Sequence, residues 1–273
     1  MKEIPIRIMQ FEFSAAELKQ SIPGSIGLLG GSMALPYLEP YLIRTMREAL
    51  KYTTDPQVEN EVKQFIGQEA QHYRQHAKLN DLLRDIYPSL AGIKKIEEQL
   101  EAEYHRFTHT KSLKFNLAYA EGFEAATCAA SRTLLKYIDI NSLDTDFKRF
   151  WIWHMNEEIE HRTVTYNIYD HLYGDYFYRL FVGLYGQYHF FKYVFRFARY
   201  IDKNLPAQDS ESQTRNTSPI KANVKSRFAV AGYLLKNWLP TYLPWYDPGK
   251  IELPNKHYEL SELFSERAQE IRQ

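Results

Sequence analysis

Residues 151–162, with the sequence WIWHMNEEIEHR, decide the fold prediction for this chain. The stretch contains two His and three Glu, and it has no Gly or Pro. Because residues three and four positions apart share one face of a helix, a helix here places His154, Glu158 and His161 in one stripe. Two imidazoles and a carboxylate in line are typical of metal ligands, whereas the alternative reading is a salt-bridged helix on the surface.

The same spacing recurs upstream in FIGQEAQHYRQH, residues 65–76, where Glu69 and His72 form a second Glu-x-x-His pair. Two such pairs on two helices, together with one Glu from each of two others, form the ligand set of ferritin-like di-iron and di-manganese bundles. The recurrence therefore favours a dinuclear metal site. His76 continues the second stripe by one turn, and the pattern favours a supporting hydrogen bond over a ligand role for it.

Two further carboxylates are needed from two other helices. An early helix offers Glu39, after the apolar run MALPYL, and Glu48, which is flanked by basic residues and expected to be solvated. A long helix near 113–137 offers Glu121 and Glu124, and the second of these lies among the small residues of GFEAATCAA. Periodicity therefore favours Glu39 and Glu124, with Glu121 as the alternative.

The remaining pattern predicts an all-α chain, a ferritin-like four-helix bundle with additional C-terminal helices. We expect one domain over 1–273, with a metal-binding core at 33–173 and aromatic-rich helices at 174–273 that contain a polar linker near 205–221. A short strand is expected at 4–11 and a turn at Gly30-Gly31. The expected helices span about 32–52, 56–85, 93–109, 113–137, 143–173, 176–203, 226–238 and 259–273.

Composition excludes several function classes. Lys plus Arg and Asp plus Glu both number 34, so no global field attracts nucleic acid. The single cysteine, Cys128, excludes an internal disulfide, and no segment reaches the ~18–20 apolar residues that span a bilayer. We expect a soluble cytoplasmic protein without a signal peptide. The 21 Tyr, 16 Phe and 4 Trp suit a large core, a pocket for an apolar or aromatic substrate, or a membrane-surface contact.

Several runs together resemble the bacterial family of predicted metal-dependent hydrolases, over roughly residues 30–250. They are YLEP, DPQVENEVKQFIGQEAQHYRQH, GFEAAT, WIWHMNEEIEHR and YLPWYDP. The ligand order is also similar to that of di-iron arylamine N-oxygenases. The resemblance implies seven metal ligands: Glu39, Glu69, His72, Glu124, His154, Glu158 and His161. The chain departs from the family pattern at Leu38, where Gly is usual, and at Ala125 and Ala126, where His and Phe are common.

By this resemblance we expect two metal ions, with Fe first and Mn or Zn as alternatives. The leading functional hypothesis is oxygen-dependent oxidation of a small apolar or aromatic substrate, with dioxygen as the second substrate. The alternative is a metal-dependent hydrolase that uses the same two-metal site. A third hypothesis is a non-catalytic metal-binding or membrane-surface bundle. A homodimer and a peripheral membrane contact both stay open.

Overall fold

The computed structural model describes residues 4–210 and 224–271, without the side chains of 224–228. The helices are α1 (Ala15–Ser21), α2 (Ile26–Leu50), α3 (Pro56–Ile86), α4 (Lys94–Thr110), α5 (Leu113–Tyr137), α6 (Asp146–His161), α7 (Val164–Leu172), α8 (Tyr176–Asn204), α9 (Val224–Trp238) and α10 (Asn255–Glu270). No strand occurs in these ranges, which confirms the all-α prediction. The expected strand at 4–11 is wrong, because these residues belong to no strand and no helix in the described structure. Most of the expected linker at 205–221 lies outside them.

Local sequence signals explain several helix starts. The Asp55 carboxylate accepts hydrogen bonds from the first backbone amides of α3, and Pro56 occupies the first helical position. Ser112 caps α5 and Asp175 caps α8 in the same way. The predicted starts of these three helices therefore agree with the structure.

Several helix boundaries differ from the prediction: α1 was not predicted, and α10 begins at Asn255 instead of near residue 259. Helix α2 begins at Ile26 and passes straight through Gly30-Gly31, where a turn was expected. Gly30 lies against α8, where an added Cβ would come within 2.6 Å of the Val194 carbonyl oxygen, so this glycine permits close helix packing. The single helix expected at 143–173 is two, α6 and α7, with a turn between them. The β-branched run that starts at Thr163 lowers helix propensity at this point.

Helices α2, α3, α5 and α6 form the bundle that surrounds the candidate site. Helix α8 packs on both α2 and α5, while α9 packs on α5 and α10 on α6. Gly122 of α5 lies against Gly183 of α8, and a Cβ added to the first would overlap the Cα of the second. The aromatic helix α8 therefore belongs to the same packed core as the bundle.

The N-terminal segment crosses α3 and α6 before α1 begins. Gln75 donates a hydrogen bond to the Met9 carbonyl oxygen, and the Phe11 ring packs against Trp153 of α6. This segment brings Arg7 into contact with two carboxylates of α6. Within the described ranges, no helix combines the length and apolarity needed to cross a bilayer.

Candidate metal centre

The bundle interior contains a cluster of carboxylates and imidazoles. Glu39 comes from α2, Glu124 from α5, and the Glu-x-x-His pairs from α3 and α6. None of the residues in this cluster is more than 5% exposed. The central cluster consists of Glu39, Glu69, His72, His76, Glu124, His154, Glu158 and His161. The structure thus brings together all seven predicted ligands, and whether they bind metal stays a prediction.

One candidate metal position lies between three carboxylates and His161. The Nδ1 atom of His161 is 3.0 Å from Glu69 Oε1, 3.6 Å from Glu124 Oε2 and 3.7 Å from Glu158 Oε1. One ligand atom from each of these four residues falls within 4.8 Å of the others. Such a spacing suits several ligands of one cation, and we call this the first position.

A second candidate position lies near His72 and shares Glu69 and Glu158 with the first. The Nδ1 atom of His72 is 3.9 Å from Glu69 Oε2 and 3.7 Å from Glu158 Oε1. Overlapping groups here join His72 with Glu39 and Glu69, or with His154 and Glu158. Because Glu69 and Glu158 take part in groups at both positions, they can bridge two cations.

Several polar atoms of the cluster have no hydrogen-bond partner within the described part of the chain. Both carboxylate oxygens of Glu39 and of Glu124 are buried without a hydrogen bond, as is one oxygen of Glu158. The Nδ1 atoms of His72 and His161 are also buried without a hydrogen bond among the described residues. Burying an unsatisfied polar group costs roughly 1–3 kcal/mol, and more for a charged one. Cations among these atoms would remove that cost, so the donor set fits metal ions.

The hydrogen bonds of His161 indicate which nitrogen faces the cluster. Its Nε2 lies 2.8 Å from Gln68 Oε1, while Gln68 Nε2 donates to the Pro5 carbonyl oxygen and to Glu160. Since the Gln68 oxygen can only accept, His161 Nε2 carries the proton. Its Nδ1 then points at three carboxylates, and only a positive charge there, from a proton or a metal, makes this arrangement favourable.

His72 is oriented in the same way by a carboxylate. Its Nε2 lies 3.0 Å from Glu157 Oε2, so Nδ1 faces the cluster. Glu157 is itself held by Trp153 Nε1 at 2.8 Å and by Arg7 Nη1 at 2.9 Å. Outer partners of this kind fix the ring orientation of ligating histidines. No sequence pattern indicated these roles for Arg7 and Gln68, because they depend on how the N-terminal segment and α3 meet α6.

His76 contacts both the cluster and a polar pair outside it. Ser32 Oγ donates to Asn80 Oδ1 at 2.7 Å, so its oxygen accepts from His76 Nδ1 at 2.9 Å. The Nε2 atom of His76 is then free to accept from His154 Nδ1 at 2.7 Å. This is the supporting hydrogen bond that the sequence pattern favours. The group of Glu39, His76 and His154 also has metal-ligand spacing, so a direct role stays open.

Burial and mutual repulsion shift the pKa values of the cluster. Burial, together with neighbouring carboxylates, raises the pKa of Glu39 and Glu124 well above its usual value. Burial opposes ionisation of Glu158 too, but His154 and His161 lower its pKa to about 2. Burial would lower the pKa of His161, yet Glu124 and Glu69 raise it well above its usual value. The metal-free cluster therefore retains protons that a metal would displace.

The alternative carboxylates lie elsewhere. Glu48 forms a surface ion pair with Lys51, and Glu121 forms a buried ion pair of 2.6 Å with Arg179. Neither belongs to the central cluster, whereas Glu39 and Glu124 do. Cys128 is buried and free, and burial raises the pKa of its thiol to about 12.

The fold and the cluster together define an all-α bundle with an interior site suited to metal ions. A family model described as predicted metal-dependent hydrolase matches residues 7–252, and the chain belongs to this family. No curated protein and no solved structure matches the chain. The predicted family resemblance is therefore confirmed. The family description fits the hydrolase hypothesis better than the oxidation hypothesis, for which these comparisons offer no support.

Proposed function

We propose that this chain is a metal-dependent hydrolase that cleaves an ester or phosphate bond at the central cluster. The observation that carries the proposal is the convergence of unpartnered carboxylate oxygens and imidazole nitrogens inside the bundle. This set of hard oxygen and nitrogen donors suits Zn, Mn or Fe and needs no thiolate. The family description supports the same class of reaction.

Each residue would have a defined place in the site. Glu124 and His161 would hold one ion at the first position, while Glu39 and His72 would hold the other, with Glu69 as a bridge. Two divalent ions so held would lower the pKa of water and polarise the substrate oxygen. The chain itself would keep the donor atoms in orientation and exclude bulk water.

The surrounding residues fix the orientation of the histidine rings. Gln68 and Glu157 accept hydrogen bonds from the Nε2–H groups of His161 and His72, so that the Nδ1 atom of each ring faces the cluster. His76 Nε2 accepts a hydrogen bond from His154 Nδ1, so that His154 Nε2 faces Glu158 at 3.0 Å. A cation would have to displace only the protons that remain on these inward-facing atoms.

The substrate would approach beside His154. The Trp151 ring lies parallel to the His154 ring at 6.2 Å, and its Nε1 has no hydrogen-bond partner in the described part of the chain. An indole N–H beside the His154 ring would donate to a substrate oxygen, and the indole face would accommodate an apolar or aromatic group.

The test is hydrolysis under anaerobic conditions. Purified protein loaded with Zn²⁺ or Mn²⁺ is assayed on aryl esters and aryl phosphates, and Glu124→Gln is the matched variant because it removes a charge but little volume. We expect turnover without oxygen that a chelator abolishes, that added metal restores and that the variant lacks. Turnover that resists complete metal removal, or an equally active Glu124→Gln, would contradict the proposal.

Oxygen-dependent oxidation remains the second candidate, because the seven-residue set with its third histidine resembles that of the N-oxygenases. It would require iron and would consume dioxygen together with a small apolar or aromatic substrate. The same preparations distinguish the two, since an oxygenase is inactive with Zn²⁺ under anaerobic conditions. Metal binding without turnover in either assay would leave a non-catalytic bundle.

A further inference from the structure

The outer face of α8 carries a stripe of exposed apolar side chains. Each is between 41% and 70% exposed, although the helix is tightly packed on its other side. The outer stripe consists of Phe177, Phe181, Leu184, Tyr188, Phe191 and Phe195. Large exposed apolar patches of this kind mark interaction surfaces in soluble proteins.

The spacing of the outer stripe matches a helix partner. Successive members are four, three, four, three and four residues apart, which is the heptad repeat of a helix that packs along another helix. The opposite face of α8 includes Gly183, Gly186 and Phe197 and is buried against α2 and α5. A helix that is apolar on both faces is normally covered on both.

The area of the outer stripe agrees with what a stable dimer requires. At the observed exposures, its six side chains present roughly 500–900 Å² of surface, if each large side chain offers about 150–250 Å². A standard interface buries about 800 Å² on each partner. We propose that a second copy of this chain covers the stripe, with α8 packed against α8 of the other protomer.

The charges on α8 favour an antiparallel arrangement. Lys192, Arg196, Arg199 and Lys203 lie in its C-terminal half, whereas Arg179, the basic residue of the N-terminal half, is buried and paired with Glu121. A parallel pair would place these cations beside their counterparts, and like charges at an interface oppose association. In the antiparallel pair the two basic ends lie apart, and the two-fold axis crosses α8 between Leu184 and Tyr188.

The first experiment measures molar mass by light scattering at micromolar concentration. We expect wild type at about 65 kDa, twice the 32.3 kDa of one chain. The variant Phe181→Glu/Tyr188→Glu should be monomeric, with an unchanged circular dichroism spectrum. Tyr52→Glu is the control, since Tyr52 is 59% exposed but lies just after the end of α2, outside the stripe. This control variant should remain dimeric.

A monomeric wild type, or a double variant that stays dimeric, would overturn the proposal. If the monomeric wild type sediments with anionic phospholipid vesicles and the double variant does not, the stripe binds lipid and the dimer proposal is rejected.

The second experiment tests the orientation with single cysteines, because the native Cys128 is buried. A disulfide needs Cα atoms within about 7 Å. Under mild oxidation, a mixture of Phe177→Cys and Phe195→Cys chains should form a disulfide-linked heterodimer, while neither variant alone should link. Efficient linkage of Phe195→Cys with itself would indicate parallel helices and would overturn the antiparallel arrangement.

Discussion

The bundle interior and the outer face of α8 depart in opposite ways from the usual distribution of residues. The interior buries charged carboxylates and imidazoles, whereas the outer face exposes Phe and Tyr to water. A buried charge and an exposed apolar patch are the informative exceptions in a folded protein, because each is unfavourable in the isolated chain. Both regions therefore indicate a partner outside the chain. The interior chemistry indicates metal ions, and the outer face of α8 indicates an apolar protein surface.

The two regions differ in how precisely their side chains are oriented. Eight side chains from four helices converge on the interior, and outer contacts such as Gln68 with His161 fix their orientation. The outer stripe has no comparable polar network, and the spacing of its side chains along one helix is its main organising feature. We therefore expect substitutions in the interior to remove a chemical function, and substitutions in the stripe to change only association.

The largest effect is expected for Glu69→Gln. Glu69 belongs to candidate groups at both metal positions, so loss of its charge should weaken both. Because a change in an outer partner alone costs about 10–100-fold in metal affinity, loss of this central ligand should cost on the order of 100-fold or more. Calorimetric metal titration measures the effect, and the exposed Glu48→Gln is the matched control. Equal metal affinities for the two variants would contradict the prediction, because Glu69 would then contribute no more to metal binding than the surface residue Glu48.

A smaller loss of metal affinity is expected for Gln68→Met. The substitution keeps the length of the side chain but removes the oxygen that holds the Nε2 proton of His161. We expect about 10–100-fold weaker metal binding with all proposed ligands intact. The calorimetric titration used for Glu69→Gln also measures this loss. An unchanged affinity in Gln68→Met would mean that the outer contacts contribute nothing.

Metal affinity should also increase with pH. The raised pKa values of Glu39, Glu124 and His161 mean that the metal-free cluster holds protons near neutral pH. Metal binding must release them, so the affinity should rise by roughly tenfold per pH unit for each proton displaced. Titrations in buffers of different ionisation enthalpy count the protons released. An affinity that does not depend on pH would show that the cluster binds no metal through these groups.

Two helix glycines, one in α5 and one in α2, offer a comparison of one substitution at two sites. Gly122→Ala places a Cβ on the Gly183 backbone, so it should lower the free energy of unfolding by about 1–3 kcal/mol. Gly31→Ala, inside α2, meets no atom within 4 Å and should raise the free energy of unfolding by about 0.5–1 kcal/mol. Urea denaturation measures both. A change of the same sign in the free energy of unfolding of both variants would contradict the close contact of α5 and α8.

The smallest effect on the monomer is expected for Phe181→Ser on the outer stripe. Because the side chain is exposed, its loss should change the free energy of unfolding of the monomer by less than about 0.5 kcal/mol. Denaturation well below the dimer dissociation constant makes this measurement. A loss of several kcal/mol would show that the stripe packs within its own chain.

The parts of the site that follow helix periodicity could be predicted from the sequence. Both Glu-x-x-His pairs lie on uninterrupted helical stretches, and the small residues around Glu124 indicated a buried carboxylate. The contact of Arg7 with Glu157 could not be predicted, because it joins residues 150 positions apart through an extended segment. Gly30-Gly31 was wrongly predicted as a turn, because only the position of α8 explains why glycine lies within a helix.

The most direct test of the account is metal content per chain by mass spectrometry, on protein that is loaded, then dialysed extensively. We predict about two ions per chain for wild type, as in dinuclear sites of this ligand type, and far less for Glu69→Gln. The two proteins should have the same helical circular dichroism spectrum. Wild-type protein that retains no more metal than Glu69→Gln would contradict the claim that the buried cluster is a metal centre.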